Sequence, residues 1–126
     1  MAMEQRQELK QAEKTEVANY FNGTGFDRWN RIYSESDDVN KVQRNIRIGH
    51  QKTVDDVLAW LQERGDLSAM SFCDAGCGVG SLSLPLAAMG AGSIAASDIS
   101  AAMVAETKRR AADAELDLSR LTFSTS

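Results

Sequence analysis

The sequence predicts an α/β fold, a parallel sheet of three strands preceded by helices, and three observations carry that expectation. In Phe72–Gly80, FCDAGCGVG, an apolar segment runs into three glycines spaced two apart. Ser93–Asp98, SIAASD, is a second short apolar run, and it ends in an acid twenty residues past Gly78. The third observation is the order of periodicities. Helical spacing holds as far as Leu61, after which short apolar runs alternate with helical stretches in the order β-α-β-α-β. That order implies parallel strands joined by right-handed crossovers.

Each element has its own signal. Met1 to about Lys14 is polar and reads as a frayed terminus. From Leu9 through Ala12, Val17, Tyr20 and Phe21 the apolar spacing is near-helical, and Asn22-Gly23-Thr24-Gly25 closes that first helix. Phe26, Trp29, Ile32 and Tyr33 make one stripe of a short second helix, with Asp27, Arg28, Asn30 and Arg31 opposite. Ser34–Asp38 is a polar loop whose last residues cap the next helix. Val39, Val42, Ile46, His50, Val54, Val57, Leu58 and Leu61 then mark a long helix ending near Gly65. Gly49 inside it costs about 1 kcal/mol against alanine, and marks a close approach or a kink. Leu67–Cys73 is the first strand, and Ser81–Met89 a helix stopped by Gly90, with Pro85 late in the first turn. Ser93–Ser97 is the second strand, Ser100 caps a helix to about Leu116, and Leu121–Ser126 alternates as a third strand. The chain divides into a helical arm and lead-in helix at 1–65 and the first half of a cofactor domain at 66–126. As ordered, the first strand is an unpaired edge. The sequence therefore reads as the first three strands of a larger domain, in truncated form.

Bulk properties narrow the classes. With 126 residues, 43% of them apolar, the chain is of single-domain size and can build a core. A formal net charge of −4 argues against a nucleic-acid-binding face. No apolar run has membrane-spanning length, and no apolar signal region opens the sequence. Glu4, Glu8, Glu13 and Glu16 are unlike an acid-poor transit peptide. Cys73 and Cys77 with one histidine do not assemble a metal site, so both cysteines read as small buried residues.

The chemistry lies at the glycine turn. Glycine takes positive φ freely and has no Cβ to hold a ligand off the backbone. A helix starting at Ser81 would turn amide N–H groups and its positive dipole end toward a polar ligand. The dinucleotide pattern G-x-G-x-x-G needs a third glycine where Ser81 stands, so nicotinamide cofactors are disfavoured. Instead the glycines read G-x-G-x-G, with Asp74 two residues ahead of Gly76. A carboxylate there repels pyrophosphate and suits a ligand carrying an ammonium and a sulfonium, as S-adenosylmethionine does. Asp98, ending the second strand, is placed for ribose hydroxyls. The expected cofactor-binding residues are Asp74, Gly76, Gly78, Gly80, Asp98 and, against the adenine face, Ile99.

Four stretches carry a family resemblance: Tyr20–Tyr33, Val42–Val54, Cys73–Ala87 and Ala96–Glu106. They resemble magnesium-protoporphyrin IX O-methyltransferases of chlorophyll biosynthesis, over nearly the whole chain from Thr15. The resemblance implies a Rossmann-like S-adenosylmethionine-dependent methyltransferase fold and methyl transfer to a propionate carboxylate of magnesium-protoporphyrin IX, with S-adenosylhomocysteine as product. Tyr33 and His50 become the expected active-site residues, with a smaller role for Trp29. Arg47 and Lys52 read as a solvated helix face, with either one as the alternative holder of the cofactor's carboxylate. The resemblance further implies a plastid stroma or photosynthetic-prokaryote cytoplasm, chlorophyll-pathway partners and at most peripheral membrane contact. Two other readings stay open: a non-catalytic partner module, and a methyltransferase of another small molecule.

Overall fold

A computed structural model describes residues 2–126, so the sequence reading of Met1 lies outside the described residues. Helix α1, Ala2–Asn22, is continuous where a frayed segment was expected. Its run of Ala, Glu, Gln, Lys, Arg and Leu contains no Gly or Pro, and these residues favour helix wherever packing does not decide. None of its residues is buried. The expected four-residue break shrinks to Gly23, because α2 already runs from Thr24 to Ile32. Gly25 lies inside that helix, and a Cβ there would meet the Tyr20 ring at 2.5 Å, so the two helices close on each other at this point.

Helix α3 spans Lys41–Glu63. Its cap is Asn40, beyond the expected acidic loop: Asn40 Oδ1 accepts from Gln43 N at 2.8 Å, while Gln43 Oε1 accepts from Asn40 N at 3.2 Å. This reciprocal pairing is a capping box. Only the second half of the expected stripe is covered. Val54 and Leu58 are buried, whereas Val42 and Ile46 are 68% and 39% exposed. Periodicity marks an apolar face, but a second surface must exist to cover it.

A 3₁₀ turn leads into strand β1, Ser71–Ala75. Helix α4 follows at Ser83–Ala88, then β2 at Ser93–Asp98, α5 at Ala101–Asp113 and β3 at Leu121–Thr125. The strands order β1-β2-β3, all parallel, with Cys73 opposite Ala95 and Ala95 opposite Thr122. As the sequence implied, β1 has one strand neighbour among the described residues. Alternation sorts the two faces. Ile94, Ala96 and Leu121 join Val54, Leu58, Leu86 and Ala111 in the core, so α3, α4 and α5 pack on that face. The opposite face, with Ser71, Cys73, Ala95, Thr122 and Ser124, is exposed.

Two arginines tie the arm to this core. Arg47 on α3 donates from Nε to Ile32 O at 2.5 Å and from Nη2 to Arg31 O and Ser36 O, each at 2.9 Å. Two of these carbonyls belong to the last turn of α2, where intrahelical donors run out, and the third to the loop after it. Arg110 on α5 donates to Tyr33 O at 3.2 Å and to Asn30 Oδ1 at 2.6 Å, and pairs with Glu106. The expected role of Arg47 as a carboxylate holder is corrected here, since its guanidinium is engaged by three carbonyls. Lys52 is exposed and paired with Asp56 at 3.2 Å.

Two stability outcomes follow. A Cβ at Gly49 would meet nothing within 4 Å, so no packed neighbour explains this glycine, and Gly49→Ala is expected to raise stability by about 1 kcal/mol in urea denaturation. Arg47→Met is expected to lower it by roughly 1.5–3 kcal/mol, the scale of charged hydrogen bonds to carbonyls.

Candidate functional site

The turn after β1 is where the elements converge. Gly76 N and Cys77 N both donate to Ser97 O, at 2.8 and 2.9 Å, tying the turn to the end of β2. Gly78 N donates to Asp98 Oδ2 at 2.9 Å, while Asp98 Oδ1 accepts from Ser100 N at 2.9 Å. Asp98 is buried and shapes the corner as well as facing its cavity. On the other side Thr107 Oγ1 donates to Gly78 O at 2.8 Å. Asp74 accepts from the Ser83 hydroxyl at 2.5 Å. Because α4 begins at Ser83, two residues later than expected, and holds six residues, its dipole does little for the turn.

The three glycines take φ of +77°, +56° and +88°, a region costly to any other residue. Their surroundings differ. Cβ atoms at Gly76 and Gly78 would meet nothing within 4 Å, so open space lies against the backbone there. At Gly80 a Cβ would strike Thr107 Cγ2 at 2.8 Å and Leu84 Cγ at 2.9 Å. Gly80, expected as a ligand contact, is buried behind the turn and lets α5 and α4 close on it.

Two cavities flank Gly76 and Gly78. One, of about 330 Å³, brings Asp98, Ile99 and Met103 together with Phe21, Trp29 and Tyr33 of the arm. The other, of about 370 Å³, holds Asp74, Ser81 and Val57 with Tyr33 and His50. Of the residues named from the sequence, Gly80, Arg47 and Lys52 lie outside both. Tyr33 borders both cavities and a third, wider polar one beside Arg47 and Arg109. Its ring stacks on His50 at 4.2 Å and on Trp29 at 5.5 Å, with interplanar angles of 29° and 28°. The three rings form one stack. Burial pushes the Tyr33 phenol above its ordinary range, so at neutral pH it is a hydrogen-bond donor and no base. His50 Nε2 is buried with no hydrogen-bond partner.

Several contributors had no clear sequence signal. Asn22, read as a helix breaker, accepts with Oδ1 from Ala102 N at 3.0 Å and from the Ser100 hydroxyl at 2.6 Å. It thereby pins the end of α1 beside Asp98. Thr107 and Phe21 were silent too, since their roles exist only once α5 and the arm have packed.

The two cysteines separate chemically, correcting the expectation that both are buried. Cys77 is buried and Cys73 exposed. Burial, and after it the charges of Asp74 and Asp98, push the Cys77 thiol up to about 11, against the polar influence of the neighbouring Thr107 hydroxyl. The thiolate is the reactive form. At about pH 8 iodoacetamide is expected to label Cys73 and spare Cys77 until the chain is unfolded; equal labelling of the folded chain would contradict the burial described.

The parallel sheet, the G-x-G-x-G turn and the acid ending β2 define the Rossmann-like fold of S-adenosylmethionine-dependent methyltransferases, present here as its first three strands. Residues 72–125 match the methyltransferase domain family. Over nearly its whole length the chain resembles the N-terminal portion of magnesium-protoporphyrin IX O-methyltransferases. It is 52% identical over 107 residues to the chloroplastic magnesium protoporphyrin IX methyltransferase of Arabidopsis thaliana, covering 85% of this chain and 34% of that one. It is 58% identical over 99 residues to the magnesium-protoporphyrin O-methyltransferase of Synechocystis, covering 79% of this chain and 42% of the other. A crystal structure of the Synechocystis magnesium protoporphyrin IX methyltransferase with bound SAH superposes with a TM-score of 0.83 at 53% identity, covering 90% of this chain and 51% of that one. The chain thus spans between a third and about half of the length of these relatives.

Proposed function

We propose that this chain is the cofactor-binding portion of an enzyme that methylates a propionate carboxylate of magnesium-protoporphyrin IX, giving the monomethyl ester. The observation that carries this reading is the backbone left open at Gly76 and Gly78 between two acids, Asp74 and Asp98, beside a stack of three rings. S-adenosylmethionine fits those residues. Asp98 and Ile99 would hold its adenosine, Asp74 its ammonium, and the backbone of Gly76 and Gly78 its middle, with Gly80 keeping the turn in shape. When bound, it supplies a methyl group on a positively charged sulfur.

What remains for the chain is positioning. A propionate is ionised at neutral pH and is itself the nucleophile, so no general base is required. Tyr33 borders both cavities where the methyl would be exchanged, and its stack with Trp29 and His50 lines them with aromatic surface for a planar macrocycle. Holding two reactants in line and excluding water lowers a barrier by up to about 7–11 kcal/mol. Residues 1–65 act in this reading as an arm and lead-in helix, and 66–126 as the first half of the cofactor domain. The names of the Arabidopsis and Synechocystis relatives support a plastid or photosynthetic-prokaryote setting. The open edge of β1 and the exposed sheet face favour one second reading, a half-domain that turns over only with a covering polypeptide.

Calorimetric titration with S-adenosylhomocysteine tests the cofactor assignment, with NAD as control. Binding of the first alone, weakened at least about tenfold, or 1.4 kcal/mol, in Gly78→Val, is the expected result. A folded chain that binds neither, or binds NAD equally, would contradict the reading.

A further inference from the structure

We infer that His50 holds the carboxylate of the cofactor's amino-acid end. This rests on the cofactor reading above and goes beyond it by naming a contact that the glycine turn does not supply. An amino-acid end carries an ammonium and a carboxylate on one carbon, so the cavity that satisfies the first must also satisfy the second. Asp74 answers the ammonium. It also excludes itself as a partner for the carboxylate, by charge.

The nitrogen donors near that cavity are few, and most are engaged; the Ser81 and Tyr33 hydroxyls also border it. Arg47 uses Nε and Nη2 on Ile32 O, Arg31 O and Ser36 O and borders the neighbouring wider cavity, not this one. Arg110 is spent on Glu106, Tyr33 O and Asn30. Lys52 pairs with Asp56, the Thr53 hydroxyl donates to Gly49 O at 3.1 Å, and the Ser83 hydroxyl donates to Asp74. His50 borders the same cavity as Asp74 and Ser81, and its Nε2 is buried without a partner. Buried polar atoms in native proteins are overwhelmingly paired, so an orphan beside a cavity marks a place for a ligand atom. The tautomer with its proton on Nε2 is a carboxylate donor.

Geometry adds a consequence. The Tyr33 ring stacks with His50 at 4.2 Å and with Trp29 at 5.5 Å. A carboxylate that engages the buried Nε2 shifts this stack. The amino-acid end of the cofactor is thereby coupled to the aromatic surface proposed for the macrocycle.

The test compares two probes by calorimetry, S-adenosylhomocysteine and 5′-methylthioadenosine, which lacks the amino-acid end. In His50→Phe, which keeps a stacking ring and loses the donor, S-adenosylhomocysteine is expected to bind at least about tenfold more weakly. Methylthioadenosine is expected to bind as to the unaltered chain, which also shows that the variant is folded. His50→Gln, which keeps a donor, is expected to recover part of the loss. In a Trp60→Phe chain, Trp29 fluorescence is expected to change with S-adenosylhomocysteine and not with methylthioadenosine. Equal weakening of both probes in His50→Phe, or of neither, overturns the assignment and leaves the cofactor reading standing. Binding of neither probe by the unaltered chain overturns both.

Discussion

The carboxylate of Asp98 is the constraint on which the site depends. It ends β2, accepts the Gly78 amide with one oxygen and the Ser100 amide with the other, and so joins three pieces. Those pieces are the turn after β1, the sheet and the start of α5. Together with the two amides that Ser97 O accepts, it makes the turn a consequence of strand pairing. Once Asp74 stands opposite Ala96 and Ala75 opposite Ser97, the turn has one place to go. A charge-assisted bond between buried groups is stronger than its exposed counterpart, which suits an acid that must shape backbone and face a cavity together.

The arm is built onto that corner by the same kind of contact. Asn22 closes the amino end of α5, Arg47 and Arg110 take up the carbonyls at the end of α2, and Tyr33 is left projecting between the two cavities. None of these side chains is itself reactive. They fix the position of Tyr33, and in a transfer whose nucleophile arrives already charged, position is most of what a protein can contribute.

Local signals were the legible ones. The glycine spacing, Asp74 and Asp98 stood in the sequence because turn chemistry and strand ends are written within a few residues, and the strand expected at Ser93–Ser97 is β2 with one residue more, Asp98. The motifs at Tyr20–Tyr33 and Val42–Val54 pointed to relatives that the whole-chain comparisons then matched. Illegible were roles that need distant partners. Arg47 looks like a free cation until the end of α2 arrives, and Gly80 looks like its neighbours until Thr107 and Leu84 pack on it. Val42 and Ile46 share the helical stripe of Val54 and Leu58, yet only the latter pair meets the core. Sequence distance, and no weakness of local propensity, separates the two groups.

That the corner is formed by the chain's own hydrogen bonds, ready before any ligand arrives, is the claim on which the account stands. Amide hydrogen exchange in the ligand-free chain, read residue by residue in the unaltered protein and in Asp98→Ala, measures it directly. Gly76, Cys77 and Gly78 are expected to be protected in the unaltered chain, with protection lost at Gly78 in the variant and kept at Gly76. Exchange of Gly78 at the rate of an unstructured chain, in the unaltered protein, would contradict it.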